Sequence, residues 1–111
     1  MRIGIIGFGK MGKLIHSEAL KRGHTIAAVI DPICQEREVT ANQVSSEHLS
    51  ECEVVIDFTH PSVVVDHIIL YAELGIPAVI GTTGWYDRIP ELQKIVAQSD
   101  GAIIYSGNYS L

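Results

Sequence analysis

Basic residues are scarce in this chain, cysteine is scarcer, and no apolar run is long. Eight Lys and Arg stand against thirteen Asp and Glu, giving a net charge of −5. The few cations are not clustered, which excludes a nucleic-acid surface, because phosphate contacts need concentrated positive charge. The two cysteines, Cys34 and Cys52, lack the spacing of metal ligands. They read as reduced thiols, with neither a disulfide nor a metal site expected. The opening stretch, Met1 to Ile6, is too short for a signal peptide, and no segment is long enough to span a bilayer. These absences lead us to expect a soluble, cytoplasmic chain with neither nucleic acid nor membrane as partner.

What is present fits a packed α/β domain. Hydrophobic residues make up 47% of the 111 positions and charged residues 19%, the balance of a globular chain. There are no repeats or linker-like tracts, so residues 1–111 read as one domain. Short β-branched runs alternate with helical patterns. The runs are Ile3–Ile6, Thr25–Ile30, Val54–Phe58, Ile76–Ile80 and Ala102–Tyr105. Between them, Lys10–Arg22 carries apolar residues near helical spacing and is stopped by Gly23. Ser62–Leu74 reads as a helix with Ser62 as N-cap and Gly75 past its end, and Arg88–Ser99 as one with Pro90 in its first turn. Uninterrupted apolar strands alternating with helices predict a Rossmann-like, doubly wound, mainly parallel sheet with helices on both faces. Run two should lie beside run one, with runs three, four and five on the other side. Residues 32–53 predict only a short strand near Val39 and a short helix near Ser46.

The first strand–helix junction reads Gly7-Phe8-Gly9-Lys10-Met11-Gly12, a G-x-G-x-x-G. The pattern alone is weak. Its context is stronger: a strand precedes it, a helix follows, and Asp31 ends the next strand 19 residues after Gly12. Gly7 permits the tight turn, Gly9 leaves space for a pyrophosphate, and Gly12 lets helix and strand pack closely. The helix N-terminus offers N–H groups to the phosphates. Asp31 is placed to accept the adenosine ribose hydroxyls, which predicts NADH over NADPH because a 2′-phosphate would meet a like charge. The alternative is a glycine-rich turn with an exposed Asp.

Three further strands end in polar or glycine-rich segments: Asp57-Phe58-Thr59-His60-Pro61, Gly81-Thr82-Thr83-Gly84 and Ser106-Gly107-Asn108-Tyr109-Ser110. In an open α/β sheet, ligands bind outside such carboxyl ends. Asp57 reads as a cap on local backbone N–H groups rather than an acid catalyst. His60 reads as a surface histidine with a cofactor contact as the lesser possibility, and Trp85 and Tyr86 either stack on a ring or pack the following helix.

Taken together, Gly9-Lys10-Met11-Gly12, Asp57-Phe58-Thr59-x-Pro61, Gly81-Thr82-Thr83-Gly84 and Asn108-Tyr109-Ser110 resemble the dihydrodipicolinate reductases of lysine and diaminopimelate biosynthesis. The likeness runs the whole chain in order. It implies that the backbone at Gly81, Thr82 and Thr83 holds the nicotinamide carboxamide, with Thr83 facing the substrate. It also implies that Phe58 and Thr59 flank the cofactor, and that Gly107, Asn108 and Tyr109 touch the nicotinamide. Two departures stand out. Many members carry one more residue in the first loop. The family also continues into a substrate-binding domain with a paired histidine and a lysine, and this chain has no His-His pair. The resemblance therefore implies the cofactor half of a reductase, with no catalytic residue of its own, working on a small dicarboxylate in a homo-oligomeric parent. Another dehydrogenase of the same fold, or a nucleotide-sensing module without chemistry, remains as an alternative.

Overall fold

The computed structural model describes residues 1–99, 102–105 and 109–110. Six strands form one sheet: β1 (Arg2–Ile6), β2 (Thr25–Ile30), β3 (Val54–Asp57), β4 (Ala78–Ile80), β5 (Ile103–Tyr105) and β6 (Tyr109–Ser110). Their order is β2-β1-β3-β4-β5-β6. The first five are parallel and in the expected order, while β6 pairs antiparallel with β5, an edge addition that apolar patterning did not announce. Three helices connect them: α1 (Lys10–Lys21), α2 (Pro61–Leu74) and α3 (Ile89–Ala97), the last preceded by a 3₁₀ turn at Tyr86–Arg88.

Both faces of the sheet carry a core. Ile30, Val55, Ile80 and Ile103 pack with Val64, Ile68 and Tyr71 of α2 and Leu92 and Val96 of α3. On the other face Ile3, Ile5 and Val29 pack with Phe8 of the following loop and with Ala19 of α1. Continuous apolar strands are what a sheet covered on both sides requires. Coverage is uneven, however. Val79 and Ile104 are register partners, and both are exposed.

Two expectations are corrected. Helix α2 is capped by His60, not Ser62. The His60 backbone is extended, its Nδ1 accepts the Ser62 N–H at 3.1 Å, and Pro61 takes the first helical position. A proline fits there because it has no N–H to satisfy, and so the cap falls one residue before it. Residues 32–53 form neither strand nor helix but a series of turns, with one isolated parallel bridge between Ile30 and Ala41. Thr40 explains the bridge: its hydroxyl and N–H both bond Val29, tying the segment to the edge of β2. Leu49, fully buried, pins the rest to the core.

Candidate functional site

The loops at the carboxyl edge are held in mutual register by the sheet itself. The ladders of β1, β3 and β4 each run one residue past the strand end. Gly7 N–H donates to Ile30 O at 2.8 Å, Phe58 N–H to Ile6 O at 2.8 Å, and Gly81 N–H to Asp57 O at 2.9 Å. Three residues singled out in sequence are thus neighbours by construction.

The glycine loop has a buried floor and an open rim. Gly7 has φ +93°, and a Cβ there would lie 2.6 Å from Phe58 O. At Gly12 a Cβ would overlap the Gly7 carbonyl oxygen. Both glycines are therefore required by close backbone approach. Gly9 differs, because a Cβ there would meet nothing within 4 Å. Gly9, Lys10 and Met11 are exposed, while Phe8 is in the core. Helix α1 starts without a side-chain cap and without an acidic residue in its first turn. Its N–H groups and the positive end of its dipole thus face the open space above Gly9, which suits an anion. The Phe8 ring and N–H take no part in that rim: the ring stacks edge-on with His16, and the N–H is given to Asp31.

Asp31 is bound to the loop it was expected to serve. Its Oδ2 accepts the Phe8 N–H at 2.7 Å, and its Oδ1 accepts the N–H groups of Ile33 and Cys34 at 2.9 and 2.8 Å. Partial burial acts to raise its pKa, but these three bonds and the nearby Lys13 ammonium hold the carboxyl below the usual carboxylate range. A carboxylate offers about four acceptor positions, so roughly one remains for a ribose hydroxyl. Lys13, the cation that acts on Asp31, and Arg37, the first cation after it in sequence, are both engaged. Lys13 Nζ lies 2.8 Å from Glu36 Oε2, and Arg37 Nε lies 3.4 Å from Glu38 Oε1.

The two threonines of Gly81-Thr82-Thr83-Gly84 are divided between structure and surface. Thr82 is 8% exposed and its hydroxyl donates to Thr59 O at 2.6 Å, whereas Thr83 is exposed. The Trp85 indole N–H donates to Thr82 O at 2.6 Å, so the loop is held from both sides. A Cβ on Gly81 would overlap the Phe58 ring, which accordingly lies against the Gly81 backbone. Trp85, fully buried against Tyr86 and Tyr105, is a packing residue.

Asp57 does more than cap its own turn. It is fully buried and accepts four hydrogen bonds: the Thr59 N–H at 3.0 Å, the Thr59 hydroxyl at 2.6 Å, the His67 Nδ1–H at 3.0 Å and the Tyr71 hydroxyl at 2.6 Å. Sequence reasoning missed His67 and Tyr71. The available signal was their i, i+4 spacing, two polar tips on the inner face of a helix otherwise lined there by Val64, Val65 and Ile68. Of the third predicted segment, Gly107 and Asn108 lie outside the described residues, and Tyr109 enters β6. A hollow of about 430 Å³ bordered by Ala72, Gly75, Ile95 and Gln98 lies at the C-terminal ends of α2 and α3, apart from these loops.

Known proteins resemble this chain in sequence and fold. A chain named 4-hydroxy-tetrahydrodipicolinate reductase from Christiangramia forsetii is 31% identical over 100% of this chain and 43% of its own length. A dipicolinate-bound dihydrodipicolinate reductase from Paenisporosarcina sp. TG-14 superposes with TM-score 0.77 at 22% identity, over 96% of this chain and 47% of that one. Aspartate dehydrogenase from Thermotoga maritima does so with TM-score 0.68 at 16% identity, over 95% and 45%. The fold is thus a Rossmann-like one shared by several dehydrogenases, and the chain spans less than half the length of the curated relative it matches. The family described as "Dihydrodipicolinate reductase, N-terminus" matches residues 1–109, and this chain belongs to it.

Proposed function

We propose that the chain is the cofactor-binding half of an NAD(P)H-dependent reductase of 4-hydroxy-tetrahydrodipicolinate, a step in lysine and diaminopimelate formation. The observation that carries this reading is one sheet edge on which three features meet: an uncapped α1 N-terminus over the space at Gly9, the Asp31 carboxylate, and an exposed Thr83. The cradle fits a dinucleotide, since Gly9 is open where a pyrophosphate must approach and Gly7 and Gly12 are closed against backbone. Family membership favours this reaction over that of aspartate dehydrogenase, whose fold is shared.

Each residue then has a part. The N–H groups at the start of α1 hold the pyrophosphate. Phe58 and the backbone of Gly81 to Thr83 orient the nicotinamide ring, and Thr83 presents its hydroxyl to the substrate. When bound, the dinucleotide would supply a hydride for the substrate carbon, whose hydroxyl leaves as water with one proton. Binding of the substrate's carboxylates and delivery of the proton fall to the family's second domain in this reading, so we expect binding without turnover by residues 1–111 alone.

NADH is the preferred form in this reading. Asp31 has room for a ribose hydroxyl but repels a 2′-phosphate, and Lys13 and Arg37 are already paired with Glu36 and Glu38. Screened by solvent and salt, the repulsion amounts to about 1–2 kcal/mol, or roughly tenfold in affinity. Calorimetric titration of both cofactors at fixed low salt tests this. We expect NADH to bind about tenfold more tightly, and Asp31→Asn to narrow the gap. Equal affinities would remove Asp31 from cofactor choice. Turnover of 4-hydroxy-tetrahydrodipicolinate by the 111-residue chain would refute the division of labour.

A further inference from the structure

The loops assigned to the nicotinamide are tied to one histidine outside them. His67 sits on α2 with 18% of its side chain exposed, and its Nδ1 lies 3.0 Å from Asp57 Oδ2. Asp57 accepts from four groups, so the bonding pattern places the histidine proton on Nδ1. The Asp57 carboxylate then fixes Thr59 through both its N–H and its hydroxyl. The Thr59 carbonyl in turn receives the Thr82 hydroxyl, and the Thr82 carbonyl receives the Trp85 indole N–H. A continuous chain of hydrogen bonds therefore runs His67–Asp57–Thr59–Thr82–Trp85. It links the turn after β3 to the loop after β4.

We propose that His67 is a positioning residue. By giving its Nδ1–H to the buried Asp57, it holds Thr59 and Thr82 in the geometry that lets Phe58 and Gly81–Thr83 receive the nicotinamide. Without that donor, one lone pair of a fully buried carboxylate is unpaired, and the turn must shift to bring in water or another donor. The glycine loop touches the Phe58–Thr59 turn at Gly7, but its own hydrogen bonds run elsewhere. It is fixed by Asp31, by the Ile30 carbonyl and by the packing of Gly12 on Gly7. Disturbing His67 should therefore weaken the grip on the nicotinamide and leave the grip on the ADP-ribose half intact.

This inference rests on the proposed placement of the nicotinamide, and the test separates the two. Calorimetry would compare NADH and ADP-ribose binding to the 111-residue chain and its variants, with urea unfolding as the folding control. If the wild-type chain binds NADH no more tightly than ADP-ribose, the placement of the nicotinamide fails. Given a wild-type preference for NADH, His67→Leu should lower NADH affinity about tenfold with ADP-ribose affinity unchanged. His67→Asn, whose amide N–H can stand near the position of Nδ1, should restore most of the loss. A folded His67→Leu with wild-type NADH affinity, or with equal loss for both ligands, overturns the proposal, as does failure of His67→Asn to restore binding. If His67→Leu does not fold, His67→Met, similar in size and equally without a donor, is read in the same way. Selective loss of NADH binding then supports the proposal, and unchanged binding or equal loss of both ligands overturns it.

Discussion

Thr82 and Thr83 are consecutive, yet one is buried with its hydroxyl on the Thr59 carbonyl and the other is exposed. The pair divides a structural duty from a surface one. Thr82→Val leaves the Thr59 carbonyl without its donor and should cost about 1–2 kcal/mol of stability. Thr83→Val should stay within about 0.5 kcal/mol of wild type. Urea unfolding midpoints of the two variants check the contrast.

The glycines of the first loop should separate in the opposite sense. Gly9→Val puts a branched side chain into empty space at the end of α1 and should keep the fold, within about 1 kcal/mol. It should also abolish NADH binding. Gly12→Ala forces its new methyl against the Gly7 carbonyl and should cost about 1–3 kcal/mol before any ligand is added. Thermal melting followed by NADH titration distinguishes the two.

Asp31 also sets an acid dependence. Burial tends to raise its pKa, but the N–H groups of Cys34, Phe8 and Ile33 win and lower it. A carboxyl lowered in the folded state stabilises above its unfolded value of ~3.9 and loses that contribution as pH falls through the folded value. Asp31→Asn should therefore be less stable than wild type at neutral pH, with the difference shrinking below about pH 4. Unfolding midpoints between neutrality and pH ~3 measure it.

Tyr71 acts at the other end of the scale. Burial, then the adjacent Asp57 carboxylate, drives its phenol far above the ordinary tyrosine range. A raised pKa stabilises fully below the unfolded value of ~10 and is lost as pH climbs beyond it, because the unfolded chain ionises first. Tyr71→Phe removes one of the four donors to Asp57 and should cost about 1.5–3 kcal/mol at neutral pH. It should also flatten the alkaline fall in stability above about pH 10. Urea unfolding at stepped pH values tests both effects.

The parallel sheet was legible because its strands read as unbroken apolar runs, from Ile3–Ile6 to Ile103–Tyr105, even where Val79 and Ile104 remain exposed. The glycine loop was legible because close backbone approach leaves no residue but glycine at Gly7 and Gly12. Residues 32–53 were not, since their shape depends on tertiary bonds from Thr40 to Val29 and on the burial of Leu49, neither of which has a period. The Asp57 network was half legible: a capping aspartate can be inferred from its own turn. Its partners 10 and 14 residues away meet it only once α2 has docked.

The two kinds of glycine crowding differ in how a lineage can leave them. At Gly81 the obstacle is the ring of Phe58, a side chain that a second substitution can shrink, so the two positions can drift as a couple. At Gly7 and Gly12 the obstacles are the carbonyl oxygens of Phe58 and Gly7, which every residue carries. No partner mutation removes a backbone oxygen. Descendants of this chain can therefore trade the contact between the loops after β3 and β4 for another pair of shapes, while the first loop has no neighbouring sequence through which to escape and must be kept whole or given up whole.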